Sequence, residues 1–416
     1  MASHLIRPRA GCALHGALYT ATAIDGVTPL VHATPGCSVA AGLWQSQHGC
    51  GNAAPASNLS EKHIVFGGAS RLREQIKNTR GIVRGALTVV MTGCPAEMIG
   101  DDVAAMAQEA RDAGDDVLDL ATAGFRGSAY HGYASLLEAA IGSSVTAPPR
   151  HAGLVNILGP VPQQDPFWLA EIAELSRLIA GVGLAPNPVF GPRGGLDSLR
   201  SLGRAELTLS VSPWSSGASR LLDDRFDIPW VESGGVPVGA RATSSLLEQL
   251  LVAVGEVDDA AALAFIDAER RHEAYCLDGL LETLFRQGGP RTFAIAAPSL
   301  HATSVARFLI ETLGWLPATI LVTDNPPVGE RALLQGDLAS LRYVEDDDEI
   351  NRAIVESGAE ILFGSALERG AARALRAPLI ECAAPTRRLS LTTGFGGFRG
   401  SLALLEAIIT AVDQQL

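Results

Sequence analysis

Short apolar, β-branched runs alternate along this chain with longer segments whose apolar positions recur every three to four residues, the two periods of strands and helices. Residues 87–92 (LTVVMT) form one such run and end at Gly93-Cys94-Pro95. Residues 101–114 (DDVAAMAQEARDAG) follow with helical spacing, with Gly114 as the stop, and 117–123 (VLDLATA) supply the next strand. Strand–helix–strand order predicts a parallel sheet. The pattern restarts at 153–158 (GLVNIL), passes through the turn Gly159-Pro160 into a helix over 166–183, and continues with strands at 207–212 and 228–233 and a long helical tract over 241–286. A third start at 292–297 (TFAIAA) leads into a helix through 304–314, strands at 318–324 and 360–365, and a closing helix at 401–416. The fold class expected is α/β, as three doubly wound units with mostly parallel sheets, spanning 1–150, 151–287 and 288–416. The acidic run 345–349 reads as a solvated loop.

Composition narrows the function only by exclusion. The chain has 416 residues, 47% of them hydrophobic, and a formal net charge of −13. That balance argues against a nucleic-acid partner, which selects a basic face. No run of about 18 uncharged apolar residues suggests a membrane span. The opening MASHLIRPRAGC lacks the apolar core of a secretory signal, so a cytoplasmic location is expected.

The cysteines change the picture. Of six, four lie in the first quarter: Cys12, Cys37, Cys50 and Cys94. Disulfides are not expected in such a chain. Cys94 directly follows a strand, Cys37 sits in Thr34-Pro35-Gly36-Cys37-Ser38, and Cys12 sits in Ala10-Gly11-Cys12-Ala13. Loops at the carboxyl ends of parallel strands carry function in this fold class. Small and rigid neighbours let backbone approach a bulky inorganic group. Each cysteine taken alone also reads as a small buried hydrophobe. Spacings of 25 and 57 residues disfavour the close C-x2-C pairs of zinc ribbons and the compact ferredoxin run. What remains is a site assembled by the fold from distant loops. Three ligands are one fewer than a cubane needs, so a partner chain is expected to supply the rest. No local signature supports a cysteine hydrolase, and no Walker A or dinucleotide motif is present. The glycine-rich stretches 191–195 (GPRGG) and 394–400 (GFGGFRG) read as turns or as places of close backbone approach.

Three stretches then resemble component 1 of nitrogenase and its relatives: Pro35-Gly36-Cys37, residues 60–68 (SEKHIVFGG) and residues 92–102 (TGCPAEMIGDD). Residues 228–232 (IPWVE) with 237–243 (PVGARAT), and 394–400, resemble later segments of the β-type subunits. The resemblance implies three Rossmann-like domains. It implies that Cys12, Cys37 and Cys94 ligate an iron–sulfur cluster shared with the partner, an [8Fe-7S] P-cluster or alternatively a [4Fe-4S] cubane. It further implies an α-type catalytic subunit in an α2β2 heterotetramer and a transient iron-protein ATPase that supplies electrons. No catalytic residue of this chain follows from it. The serine that molybdenum β subunits can add to the oxidised cluster corresponds here to Gly124, with Ser128 nearby, and only eleven residues precede Cys12. Both features point to a nitrogenase-like reductase, first a methylthio-alkane reductase cleaving carbon–sulfur bonds; a cofactor-assembly scaffold or an alternative nitrogenase β subunit are the other readings. Cys50, Cys276 and Cys382 are expected to stay outside the cluster. His15, His32 and His63 read as supporting hydrogen-bond donors, and Glu97, Asp101 and Asp102 as caps of the helices that follow Cys94.

Overall fold

The computed structural model describes residues 9, 11–47, 54–83, 85–145, 149–255, 259–286, 291–336, 338–387 and 390–413. They form three sheets in which every strand pair is parallel. The chain divides into two compact units, residues 1–147 with 161–164 and 189–203, and the remainder.

The first unit is built on a sheet of order β1-β2-β3: β1 Val27–His32, β2 Leu87–Thr92 and β3 Val117–Leu120. β2 lies between the other two, and all six of its residues are buried. That is why LTVVMT carries only apolar residues and small threonines instead of alternating with charged or large polar ones. β1 holds Pro29 because it is the outer strand. Residues 55–59 run beside it, with Val31 N–H donating to Pro55 and Ser57 N–H to Val31. Seven helices accompany this sheet: α1 Ala13–Thr22, α2 Pro35–Gln47, α3 Glu61–Phe66, α4 Ala69–Ile82, α5 Cys94–Met98, α6 Val103–Asp112 and α7 Ala129–Ser143. The helix expected over 101–114 is α6. Asp102 caps it by accepting from Ala105 N–H at 3.0 Å, and Gly114 ends it at φ +90°. Residues 191–195 fold as the expected turn, with Gly195 N–H bonding Val189 and Leu196 N–H bonding Asp25.

The second unit carries a four-stranded sheet, order β5-β4-β6-β7, and a five-stranded sheet, order β10-β9-β8-β11-β12. Their strands are β4 Leu154–Leu158, β5 Ala185–Pro188, β6 Leu207–Ser210, β7 Trp230–Glu232, β8 Thr292–Ala297, β9 Leu316–Val322, β10 Leu341–Tyr343, β11 Ile361–Gly364 and β12 Leu379–Glu381. The expected tract over 241–286 is two helices, Gly239–Val254 and Ala260–Arg286, the first ending at Gly255 in the left-handed region. The acidic run corrects the loop expectation. Asp346 caps the helix Asp347–Ser357, accepting from Glu349 N–H at 2.9 Å, and Asp347, Asp348 and Glu349 fill its first turn, where the helix dipole favours negative charge.

Candidate metal centre

The three cysteines singled out in the sequence all fall at helix starts of the first unit. Cys12 caps α1, Cys37 lies in the first turn of α2, and Cys94 opens α5. α2 and α5 follow the carboxyl ends of β1 and β2 after one short turn each. Glycine brings these turns together. Gly93 has no room for a side chain, since a Cβ there would stand 2.5 Å from Ala33 Cβ, and its N–H donates to the His32 carbonyl at 2.9 Å. Cys12 reaches the same edge through α1, which packs on α7. A Cβ at Gly16 would stand 2.5 Å from Ala129 Cα, and one at Gly132 would stand 2.6 Å from Ala17 N. Ala13 N–H donates to Gly127 at 2.9 Å and Ala129 N–H to Gly11 at 3.1 Å, so the Cys12 turn is stitched to the start of α7.

Gly124 marks where the thiols meet. A Cβ on it would lie 3.2 Å from Cys94 Sγ and 3.7 Å from Cys12 Sγ. Its N–H donates to Cys94 Sγ at 3.0 Å. Cys37 stands within electrostatic reach of both other thiols. His15, one turn along α1 from Cys12, bonds the Cys37 backbone. The structure therefore brings Cys12, Cys37 and Cys94 to one edge, and all three are free and partly exposed.

Burial pushes the Cys12 thiol up; the Leu14 and His15 N–H groups oppose it, and the other two cysteines add repulsion. Burial also raises Cys37, opposed by the Thr34 hydroxyl and reinforced by Cys94. Among the described residues no cationic side chain acts on either thiol. Three thiolates here need a cationic centre to coexist, and a coordinating metal deprotonates a thiol outright. The trio does not lie mutually within 4.8 Å. A single tetrahedral ion with sulfur bonds of about 2.3 Å needs sulfurs about 3.8 Å apart. The donor set suits a polynuclear centre better than one ion.

The supporting residues correct part of the sequence reading. Glu97 does not cap a helix. It accepts from Thr92 Oγ1 at 2.5 Å, Ala123 N–H at 2.8 Å and Arg126 Nε at 2.5 Å, clamping the Cys94 helix to the Gly124 loop. Asp101 accepts from Gly68 N–H at 2.7 Å and pairs with buried His32 Nε2 at 3.0 Å, while His32 Nδ1 meets Ser57 Oγ at 2.9 Å. This Ser–His–Asp chain is buried, so it tethers three loops and offers no nucleophile. His63 caps α3 through Ser60. Cys50 lies outside the described residues. Cys276, on the helix Ala260–Arg286, and Cys382, buried after β12, belong to the second unit. Burial pushes the Cys382 thiol up strongly, as packing predicts.

Apolar side chains of the first unit face solvent: Val39 (60% exposed), Val65 (72%), Phe66 (83%), Met98 (76%) and Phe125 (48%). All five sit on α2, α3, α5 or the Gly124 turn.

Residues 12–413 match the family described as nitrogenase component 1 type oxidoreductase. The chain belongs to that family. The nitrogenase molybdenum-iron protein beta chain of Clostridium pasteurianum is 23% identical over 98% of this chain and 93% of its own length. The beta chain of Methanothermobacter thermautotrophicus is 26% identical over 98% and 94%. The nitrogenase iron-molybdenum cofactor biosynthesis protein NifN of Rhodobacter capsulatus is 25% identical over 96% and 89%. A solved structure of nitrogenase Cp1 superposes with TM-score 0.81 at 20% identity, covering 98% of this chain and 93% of that one; the expected α/β fold is therefore the family's own. A nitrogenase component 1 protein with beta-chain relatives is what the sequence led us to expect, and an oxidoreductase subunit with it. Among the described residues no helix is long and apolar enough to cross a membrane.

Proposed function

We propose that this chain is the β-type, electron-relaying subunit of a nitrogenase-like reductase, with Cys12, Cys37 and Cys94 as its ligands to an iron–sulfur cluster shared with an α-type partner. The observation that carries this reading is that the free thiols of Cys12 and Cys94 meet at Gly124 with the free Cys37 thiol in electrostatic reach of both, that no cationic side chain among the described residues acts on Cys12 or Cys37, and that exposed apolar side chains lie on α2, α5 and the Gly124 turn. Apolar surface of this kind marks a protein interface, and an interface is where a three-ligand half-site finds its remaining ligands. When bound, the cluster supplies reversible electron storage between an iron-protein donor and a partner's active site. This chain's own residues hold and tune it. The Gly124 N–H stabilises negative charge on the Cys94 sulfur, a lever that sets cluster potential. Glu97 fixes that N–H in place. The absence of a side chain at Gly124 leaves the space beside the sulfurs free and removes any oxygen ligand at that position.

The cluster type we assign is [8Fe-7S], in an α2β2 assembly, with [4Fe-4S] as the alternative. The substrate class we assign is methylthio-alkanes, reduced by carbon–sulfur cleavage. Anaerobic co-purification of the complex, with iron quantitation and low-temperature EPR, tests the ligand assignment. Cys12→Ala, Cys37→Ala and Cys94→Ala should each lose most of the interfacial iron and its signal. Full iron retention in Cys94→Ala sinks the reading. Turnover with dimethyl sulfide or ethyl methyl sulfide, against dinitrogen, tests the substrate. The likeness to NifN over 96% of the chain supports a second reading, a scaffold on which a cofactor is built. A scaffold complex reduces neither sulfides nor dinitrogen and transfers its cofactor to an apo-reductase.

A further inference from the structure

The glycine-rich stretch 394–400, a loop up to Gly396 and then the start of the helix Gly397–Asp413, and a buried cluster in the second unit play no part in the function proposed above. A Cβ at Gly394 would stand 2.7 Å from Glu171 Cγ, and one at Gly396 would stand 3.7 Å from the same atom. The loop thus lies directly on Glu171, in the first turn of the helix Trp168–Gly181. Beside Glu171 sit Asp165 and His301, the latter on the helix Ser299–Glu311, and all three are buried. His301 Nε2 is 2.6 Å from Glu171 Oε1 and 3.8 Å from Asp165 Oδ1. One ligand atom from each residue lies within 4.8 Å of the other two. Asp165 Oδ1 accepts from Phe167 N–H at 2.9 Å. Asp165 Oδ2 and Glu171 Oε2 are buried with no hydrogen-bond partner. The Phe167 ring stands edge-on to His301 at 5.6 Å and against Phe395 at 4.7 Å, so the surroundings are apolar.

An arrangement of two carboxyls and an imidazole in an apolar shell is expensive unless charge is balanced. Among the described residues no Lys or Arg acts on Asp165, Glu171 or His301. Two occupants can balance it: a proton shared between the carboxyls, or a divalent cation. Asp165 and Glu171 stand within side-chain hydrogen-bond reach of each other, the contact a shared proton would join, and the Phe395 N–H donates to Glu171. A cation takes one oxygen from each carboxyl and the neutral imidazole nitrogen, a donor set suited to first-row divalent ions.

We propose that Asp165, Glu171 and His301 form a structural site for a divalent cation of the zinc class, sealed by the 394–400 loop and using none of the cysteines. On binding, the His301–Glu171 contact opens from hydrogen-bond length to about 3.3 Å, as bonds of about 2.0–2.1 Å to a common tetrahedral ion require. The ion neutralises both carboxylates and pins the helices Trp168–Gly181 and Ser299–Glu311 to the loop.

The test uses the purified complex, treated with EDTA and then titrated with Zn2+ or Co2+, with metals counted by mass spectrometry. One zinc per chain is expected, in the wild type and in Cys94→Ala alike, so failure here is separate from failure of the cluster assignment. Asp165→Asn and His301→Gln should lose that zinc. Cobalt should give visible d–d absorption in the wild type and in Cys94→Ala, and none in Asp165→Asn or His301→Gln. The melting temperature should climb with the logarithm of free zinc in the wild type and stay flat in Glu171→Gln. A wild type that takes up neither zinc nor cobalt beyond what Cys94→Ala abolishes overturns the proposal, even if the buried-site variants fail to fold. A Glu171→Gln chain that melts higher than wild type at every zinc concentration also overturns it, because that is the behaviour of a shared proton.

Discussion

Gly132→Ala and Gly142→Ala make a matched pair on one helix, α7, with opposite expected signs. At Gly142 nothing lies within 4 Å of an added Cβ. The substitution there should gain about 0.5–1 kcal/mol, the ordinary advantage of alanine over glycine in a helix. At Gly132 the same methyl meets the Ala13 carbonyl oxygen, with Ala17 N at 2.6 Å and the Ala13 carbonyl carbon at 2.9 Å. These are backbone atoms of α1 and cannot rotate away, so the two helices must part. Overpacking of this kind costs about 1–3 kcal/mol or more. After the helix-propensity gain, Gly132→Ala should still be destabilised by about 2 kcal/mol, leaving the two variants about 3 kcal/mol apart, roughly a hundredfold in the folding equilibrium. Denaturant titration of the two variants measures the gap, and iron content measures its consequence. Separating α1 from α7 moves Cys12, which is stitched to Ser128 through a backbone bridge, so Gly132→Ala should lose iron while Gly142→Ala keeps it. Equal midpoints for the two variants would refute the account of how the Cys12 turn is held.

Glu97→Ala should free the Ala123 and Thr92 donors and loosen the Gly124 loop; each orphaned donor costs about 1–3 kcal/mol, and iron retention after dilution should fall below wild type. Asp101→Ala leaves buried His32 and the Gly68 N–H without their acceptor, and unfolding should show a loss of about 2 kcal/mol or more. In the chain stripped of divalent metal, burial holds Glu171 at about 7 against 4.5 in the open chain, while Asp165 and His301 face it. The folded state then keeps a proton that the unfolded state releases. This contribution is full below pH 4.5 and is lost as pH rises to about 7, by at most about 1.4 kcal/mol per pH unit. Glu171→Gln should flatten that slope in thermal melts recorded across this range.

The central strands were legible because a parallel strand covered on both faces carries no exposed polar alternation: β2 and β8 are apolar apart from threonines. The outer ones were not. β5 reads APNP, with proline at two of its four positions, and β10 and β12 have three residues each. Edge strands need to satisfy only one neighbour, so they tolerate proline and brevity. β1 was visible only as a β-branched stretch near Val31, because Pro29 interrupts it. The break at Gly255 was concealed within a continuous helical periodicity on either side. The cysteines announced themselves through their Gly and Pro neighbours, yet spacing alone left zinc, iron and plain packing open. Glu97 and Asp101 looked like caps because acids after a strand-end turn usually are; their partners, Ala123 in the loop after β3 and His32 at the end of β1, are distant in sequence, and no local pattern encodes that. The trio Asp165, Glu171 and His301 gave no signal at all, since the third member stands 130 residues from the second.

Each of the three thiols rides on a different stretch of chain, and the last element that fixes them, α7, ends at Ser143. During synthesis, no sulfur pocket exists until roughly the first third of the polypeptide has emerged and its sheet has closed. Before that point the three sulfurs cannot act together on anything.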